Sequence, residues 1–296
     1  MKDTKHKILT LAALTTIAAG VIHLTNRVIV ASSQLKEMLD FSNHNYYNWR
    51  FGKIYYTKKG KGSPLLLIHD TMPGASGYEW SRVEDQLAQE HTVYTLDLLG
   101  CGRSEKAGIT YTNFLFVQII CDFIKNVIKE KTDIIASGFS CSFVTTAAAY
   151  DKESINKIMF INPVSMISLA QTITKKDNLL KFFIELPIFG TFIYHIIVSR
   201  ETINDFFLDN LYYNPFHVDT VITDAYYESA HKGGYYAKYL YSSMISKYMS
   251  INISHAVKSL DNSIYIVEGE SEPNGGFIVN EYSALNPAIE TSVIAE

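Results

Sequence analysis

Ser140 is the residue whose surroundings best suit covalent chemistry. It lies in the stretch TDIIASGFSCSF, from Thr132 to Phe143. Thr132 to Ala136 is a compact apolar run of strand type; after a break at Gly138 the chain continues through Phe143, Val144 and a run of alanines, a helix-forming segment. A serine at such a bend holds its hydroxyl out above the end of a sheet. The backbone N–H of Cys141, at the helix start, then points at the oxygen that turns negative when a hydroxyl attacks a carbonyl. The chemistry allowed is acyl transfer through a covalent intermediate. A serine-rich turn without chemistry is the plain alternative, so the neighbouring elements have to separate the two.

Upstream, Arg50 to Thr57 and the lysine-bearing turn Lys58 to Gly62 read as a hairpin. Pro64 to Ile68 is a continuous apolar run, as expected of a central parallel strand covered on both faces, and it ends in His69-Asp70-Thr71. Trp80, Val83 and Leu87 mark an amphipathic helix, and Thr92 to Leu96 is the next strand, emptying into Asp97-Leu98-Leu99-Gly100-Cys101-Gly102-Arg103-Ser104. Tyr111 to Lys131 has helical periodicity, and Lys157 to Asn162 is another strand. Strands alternating with helices predict a mostly parallel sheet with flanking helices.

After Pro163 the alternation stops. Val164 to about Ser259 is helical in character and rich in Phe and Tyr, with Phe182, Phe183, Phe189, Phe192 and Tyr194 close together; strand character resumes at Ser263 to Val267 and again at Ser292 to Ala295. A helical block inserted between two strands predicts a cap over the carboxyl ends of the sheet, where ligands bind in open α/β folds. The aromatic cluster is expected to be cap core, and it hints at an apolar substrate. The organisation expected is an N-terminal segment over 1–30, a connector over 31–48, an α/β core over 49–163, a cap over 164–260 and the core continued over 261–296.

The N-terminus carries Lys2, Lys5 and Lys7, and from Ile8 to Leu24 no residue is charged apart from the titratable His23. A basic segment before an apolar one predicts a membrane anchor or a signal segment, with the body on the extracytoplasmic side. The net charge of -4 gives no electrostatic reason to expect nucleic acid as a partner. Cys101, Cys121 and Cys141 are widely spaced and suggest neither a disulfide framework nor a zinc site. The histidines show no H-x-x-x-H spacing, and no G-x-x-x-x-G-K-[ST] loop is present, so no metal and no cofactor is expected.

From Trp49 onward these features resemble the α/β-hydrolase fold. The D-x-x-G-x-G-x-S loop at Asp97, Gly100, Gly102 and Ser104 is typical of its capped, esterase-like branch, and Gly138-Phe139-Ser140-Cys141-Ser142 is similar to the G-x-S-x-G nucleophile elbow, with Ser142 at the second glycine. The resemblance implies Ser140 as nucleophile, with the N–H groups of Thr71 and Cys141 as oxyanion donors. Glu272, in the turn Gly269-Glu270-Ser271-Glu272-Pro273, takes the position of the acid. Asp70 replaces the glycine of the family's His-Gly pair, and His69 is expected to brace the loop. The family's order is Ser, acid, His, yet no histidine follows Glu272, and the base is expected beyond the last strand, where the sequence stops at Glu296.

The resemblance therefore implies a membrane-anchored serine hydrolase acting on a small apolar ester or acyl substrate, poorly active without its histidine. The alternative is a catalytically inactive hydrolase-like module that binds an apolar ligand or a protein partner.

Overall fold

The computed structural model describes residues 2–39, 45–272 and 274–295; Asp40 to His44, within the expected connector, Pro273 of the acid turn and Glu296 lie outside the described residues. The sheet strands are β1 (Asn45–Trp49), β2 (Gly52–Lys59), β3 (Ser63–Ile68), β4 (His91–Leu96), β5 (Thr132–Ser137), β6 (Ile155–Ile161), β7 (Ile264–Gly269) and β8 (Glu290–Ile294). They form one sheet in the order β1-β2-β4-β3-β5-β6-β7-β8. β1 and β2 pair antiparallel, and β2 pairs antiparallel with β4. From β4 through β8 every pairing is parallel. The apolar runs seen in the sequence supply its middle: Leu66, Ile68, Leu96, Ile134, Ile158 and Ile266 are all buried.

The helices of seven residues or more are α1 (Lys2–Ser33), α2 (Asn113–Phe123, continued by a wider turn over Ile124–Ile128), α3 (Ser140–Tyr150), α4 (Lys175–Glu185), α5 (Phe189–Ile197), α6 (Arg200–Phe206), α7 (Thr220–His231), α8 (Lys238–Ile245) and α9 (Gly275–Leu285). α2 and α3 pack together over the sheet, with the rings of Phe116 and Phe143 stacked at 4.6 Å. α4 to α8 all fall between β6 and β7, as the inserted block predicted. They close onto loops that follow β3 and β4. The Gly102 N–H donates to Ser229 Oγ at 3.0 Å, and a Cβ on Gly74 would stand 2.5 Å from the Tyr226 carbonyl oxygen.

Two local expectations change. The hairpin bends at Arg50 and Phe51, one strand earlier than expected, because β2 runs on through Lys58 and Lys59 to pair with β4. The amphipathic helix around Trp80 is instead two short pieces, a tight turn over Gly77–Trp80 and a single helical turn over Glu84–Leu87. The first is held by the Ser76 side chain, which accepts the Tyr78 N–H. The aromatic cluster also divides: Tyr194 is buried, whereas Phe182, Phe183 and Phe189 are exposed.

Candidate functional site

The Asp97 loop fixes the floor of the site. Asp97 is fully buried and accepts from the N–H of Gly77 (2.6 Å), from the backbone N–H of Arg103 (2.7 Å) and from the Arg103 guanidinium (2.7 and 3.0 Å). Gly102 adopts φ +49°, and a Cβ there would stand 2.3 Å from an Asp97 carboxylate oxygen, so both the turn and the close approach require glycine. Ser104 donates to the Asp97 carbonyl and accepts the Tyr55 N–H, locking β2 to the loop.

His69 is buried and braces the next loop. The Leu98 N–H donates to its Nε2 at 3.0 Å, which leaves Nδ1–H to donate to the Asp70 carbonyl at 2.6 Å. Burial pushes its pKa below the usual imidazole value, so it is held neutral. Both ring nitrogens are engaged with backbone.

The bend after β5 differs from its expected form. Gly138 takes φ +53°, the left-handed conformation at the turn, and Ser140 is two residues farther on, as the first residue of α3. Ser140 is fully buried, and its hydroxyl donates to the His69 carbonyl at 2.7 Å. The expectation of an exposed hydroxyl above the sheet is therefore corrected. Of the residues in Ser-Gly-Phe-Ser, glycine alone adopts that φ without a Cβ penalty. The Cys141 N–H is likewise turned inward, donating to the Gly138 carbonyl at 3.4 Å in the first turn of α3.

The space vacated at the bend is filled from the loop after β3. Asp70 Oδ1 accepts the Thr71 N–H at 2.7 Å and the Phe139 N–H at 2.8 Å. A Cβ on Gly138 would lie 2.3 Å from Asp70 Cγ, so the carboxylate occupies the volume that a side chain at the bend would take. The Thr71 and Phe139 N–H groups thus both donate to the Asp70 carboxylate, while the Cys141 N–H is engaged elsewhere. Glu79 completes the group. It accepts the Asp70 N–H at 3.1 Å and the Ser137 hydroxyl.

These groups line a cavity of about 440 Å³ between the carboxyl ends of the strands and the inserted helices. Asp70, Glu79 and Ser137 lie on its sheet side; Met72, Tyr78, Phe207, Tyr212, Ile222 and Tyr226 give it apolar and aromatic walls, and Arg82 and Asp219 also line it. Burial raises the carboxyl pKa of Asp70, and it raises that of Glu79 to about 7, opposed by the Ser137 hydrogen bond and aided by the charge of Asp70. Neither carboxylate has an ion-pair partner among the described residues.

Glu272 does not line this cavity. It stands in the turn after β7, where its N–H donates to the Gly269 carbonyl and its carbonyl accepts the N–H of Gly275, the first residue of α9. Glu268 lies beside it, and burial together with that neighbouring charge raises the Glu272 carboxyl pKa. Glu79 and Ser137 were not singled out from the sequence. Glu79 sits in a stretch whose only pattern is apolar spacing, and Ser137 reads as the last residue of a strand.

Residues 64–183 match the model of the alpha/beta hydrolase fold family. A meta-cleavage product hydrolase from Pseudomonas fluorescens IP01 has the same fold, with a TM-score of 0.67 at 18% identity over 86% of this chain and 90% of that one. The chain has the α/β-hydrolase fold. Among curated relatives, the 2-hydroxy-6-oxo-6-(2'-aminophenyl)hexa-2,4-dienoic acid hydrolase of Metapseudomonas resinovorans is 28% identical over 38% of this chain and 39% of its own length. The pimeloyl-[acyl-carrier protein] methyl ester esterase of Aliivibrio fischeri is 33% identical over 23% of this chain and 25% of its own length. The matched segments thus span well under half of each relative.

Proposed function

We propose that this α/β-hydrolase chain is a membrane-held module that binds a small, partly apolar cationic ligand beneath its cap, and that Ser140 does not act as an acyl-transfer nucleophile. The observation that carries the reading is the Asp70 carboxylate seated on the Thr71 and Phe139 N–H groups, with Gly138 at the bend. A negative charge placed there opposes the oxyanion of a tetrahedral intermediate, because like charges a few ångströms apart repel strongly in a dry site. The two unpaired carboxylates instead complement a cation, and the rings of Tyr78, Tyr226 and Phe207 suit its faces. Membrane attachment is supported by α1, in which His6–Ser33 is long and apolar enough to cross a bilayer and is unburied along its apolar window.

A fluorophosphonate probe is expected to leave the protein unlabelled. Ser140→Ala is expected to cost about 1 kcal/mol of stability, the worth of one buried hydrogen bond, and to leave ligand binding unchanged. Stoichiometric labelling that disappears in Ser140→Ala would restore the serine-hydrolase reading. Calorimetry with phenethylammonium and its neutral alcohol tests the ligand class. The ammonium is expected to bind about tenfold or more tightly, with the preference lost in Glu79→Gln. Its affinity should rise with pH through about 7, because the Glu79 carboxyl must ionise to pair with a cation. Equal affinities for ammonium and alcohol sink the proposal.

One observation favours a second reading that keeps hydrolysis. Ser137 lines the cavity and donates its hydroxyl to Glu79, a carboxylate with a pKa suited to accept that proton as the oxygen attacks a carbonyl. Probe labelling abolished by Ser137→Ala, and not by Ser140→Ala, would decide for it.

A further inference from the structure

α1 and the first cap helices share a surface. The Asn26 side-chain amide is buried and donates to the Ile188 carbonyl at 3.0 Å, and α1 packs along α5. Ile188 is the corner between α4 and α5, whose axes bend by 100° there. Around that corner the outer faces are apolar. Leu179, Phe182 and Phe183 are spaced i, i+3, i+4 on α4, and Phe189, Ile193 and Ile196 are spaced i, i+4, i+7 on α5, so each set forms one stripe. All six are 41–59% exposed, while Ile184, Tyr194 and Val198 already bury the opposite faces against the body. Apolar stripes on both sides exceed what packing of the cap requires. Contiguous exposed patches of this kind mark a surface that meets another apolar phase.

The length of α1 identifies that phase. From His6 to Thr25 the helix rises about 30 Å, the thickness of a bilayer hydrocarbon core. Asn26 is the first residue beyond that stretch and the one that grips Ile188, so the corner stands at the level where α1 leaves the lipid. We propose that the outer stripes of α4 and α5 lie in the bilayer interface, making the cap a second membrane contact beside α1. Lys175 and Lys176, exposed in the first turn of α4, are placed to meet anionic headgroups. A second copy of the chain or a soluble partner would cover the stripes equally well, but neither accounts for their level along α1.

The proposal rests on α1 being a span, and the test separates the two. The full chain is reconstituted into vesicles of phosphatidylcholine and phosphatidylglycerol with brominated acyl chains, and quenching is read from tryptophan introduced one site at a time. Leu14→Trp reports the span, Phe182→Trp and Ile193→Trp report the cap, and Tyr150→Trp reports the body, far out in solvent. Phe182→Trp and Ile193→Trp are expected to be quenched roughly twofold or more over Tyr150→Trp, alongside Leu14→Trp. If Leu14→Trp is quenched while both cap sites behave like Tyr150→Trp, the cap stands clear of the membrane and the proposal is overturned. If Leu14→Trp is not quenched, the anchor itself fails and the cap placement falls with it.

Discussion

Gly138→Ala should lower the unfolding free energy by about 2–4 kcal/mol. Part of this, roughly 1–2 kcal/mol, is the cost of a Cβ in the left-handed conformation at φ +53°. The remainder comes from overpacking, because the new methyl would stand 2.3 Å from Asp70 Cγ, and the carboxylate would have to leave the Thr71 and Phe139 N–H groups. The two contributions can be separated. In Asp70→Gly the obstructing side chain is gone, so the same Gly138→Ala change should then cost only the conformational part, and a double-mutant cycle in urea should give a coupling of about 1 kcal/mol or more. Zero coupling would mean that the Asp70 carboxylate does not occupy the bend, and the binding-module reading would lose the observation that carries it.

The second large effect lies behind the site. Asp97→Ala should destabilise the fold by about 3–5 kcal/mol, the usual penalty for removing one partner of a buried ion pair. It strips the acceptor from Gly77 and from both the backbone and the guanidinium of Arg103. The loss should carry a pH signature. Burial alone would raise the Asp97 carboxyl pKa, but the Arg103 charge and hydrogen bonds outweigh it, and the folded value lies below the ordinary one. A depressed folded value stabilises fully above the unfolded carboxylate range, near pH 4, and is lost as pH falls through the folded value. Urea unfolding of the parent should therefore weaken progressively below about pH 4, with a shallower dependence in Asp97→Ala. Identical acid limbs would contradict this assignment.

Both predictions concern residues that the sequence exposes unequally. Asp97 and its glycines are legible because the D-x-x-G-x-G-x-S spacing is local, and the hydrogen bonds from Arg103 to the Asp97 carboxylate and from Ser104 to the Asp97 carbonyl close within the loop. Gly138 is not legible in the same way. Ala136-Ser137-Gly138-Phe139-Ser140 and Gly138-Phe139-Ser140-Cys141-Ser142 both place small residues on either side of a central position, and the second frame has a serine at the centre. Nothing in composition or spacing says which frame the bend adopts.

The sequence by itself determined the elements. The predicted strands at Pro64, Thr92, Thr132, Lys157, Ser263 and Ser292 are found at β3 to β8, the helical block lies between β6 and β7, and the apolar N-terminal segment is one long helix, because side-chain periodicity along a strand or helix is a local property of the chain. Only the tertiary structure decided the chemistry of the site. The loop after β3 must be brought beside the bend after β5 before Asp70 can take the Phe139 N–H, and that contact joins residues far apart in sequence. Once the carboxylate is there, only glycine fits opposite it, Gly138 becomes the bend, and Ser140 is carried into the first turn of α3 with its hydroxyl turned to the His69 carbonyl. The cap's aromatic residues follow the same logic: their types were visible, but whether Phe182 and Phe189 face inward or outward depends on how α4 and α5 turn about the corner gripped by α1.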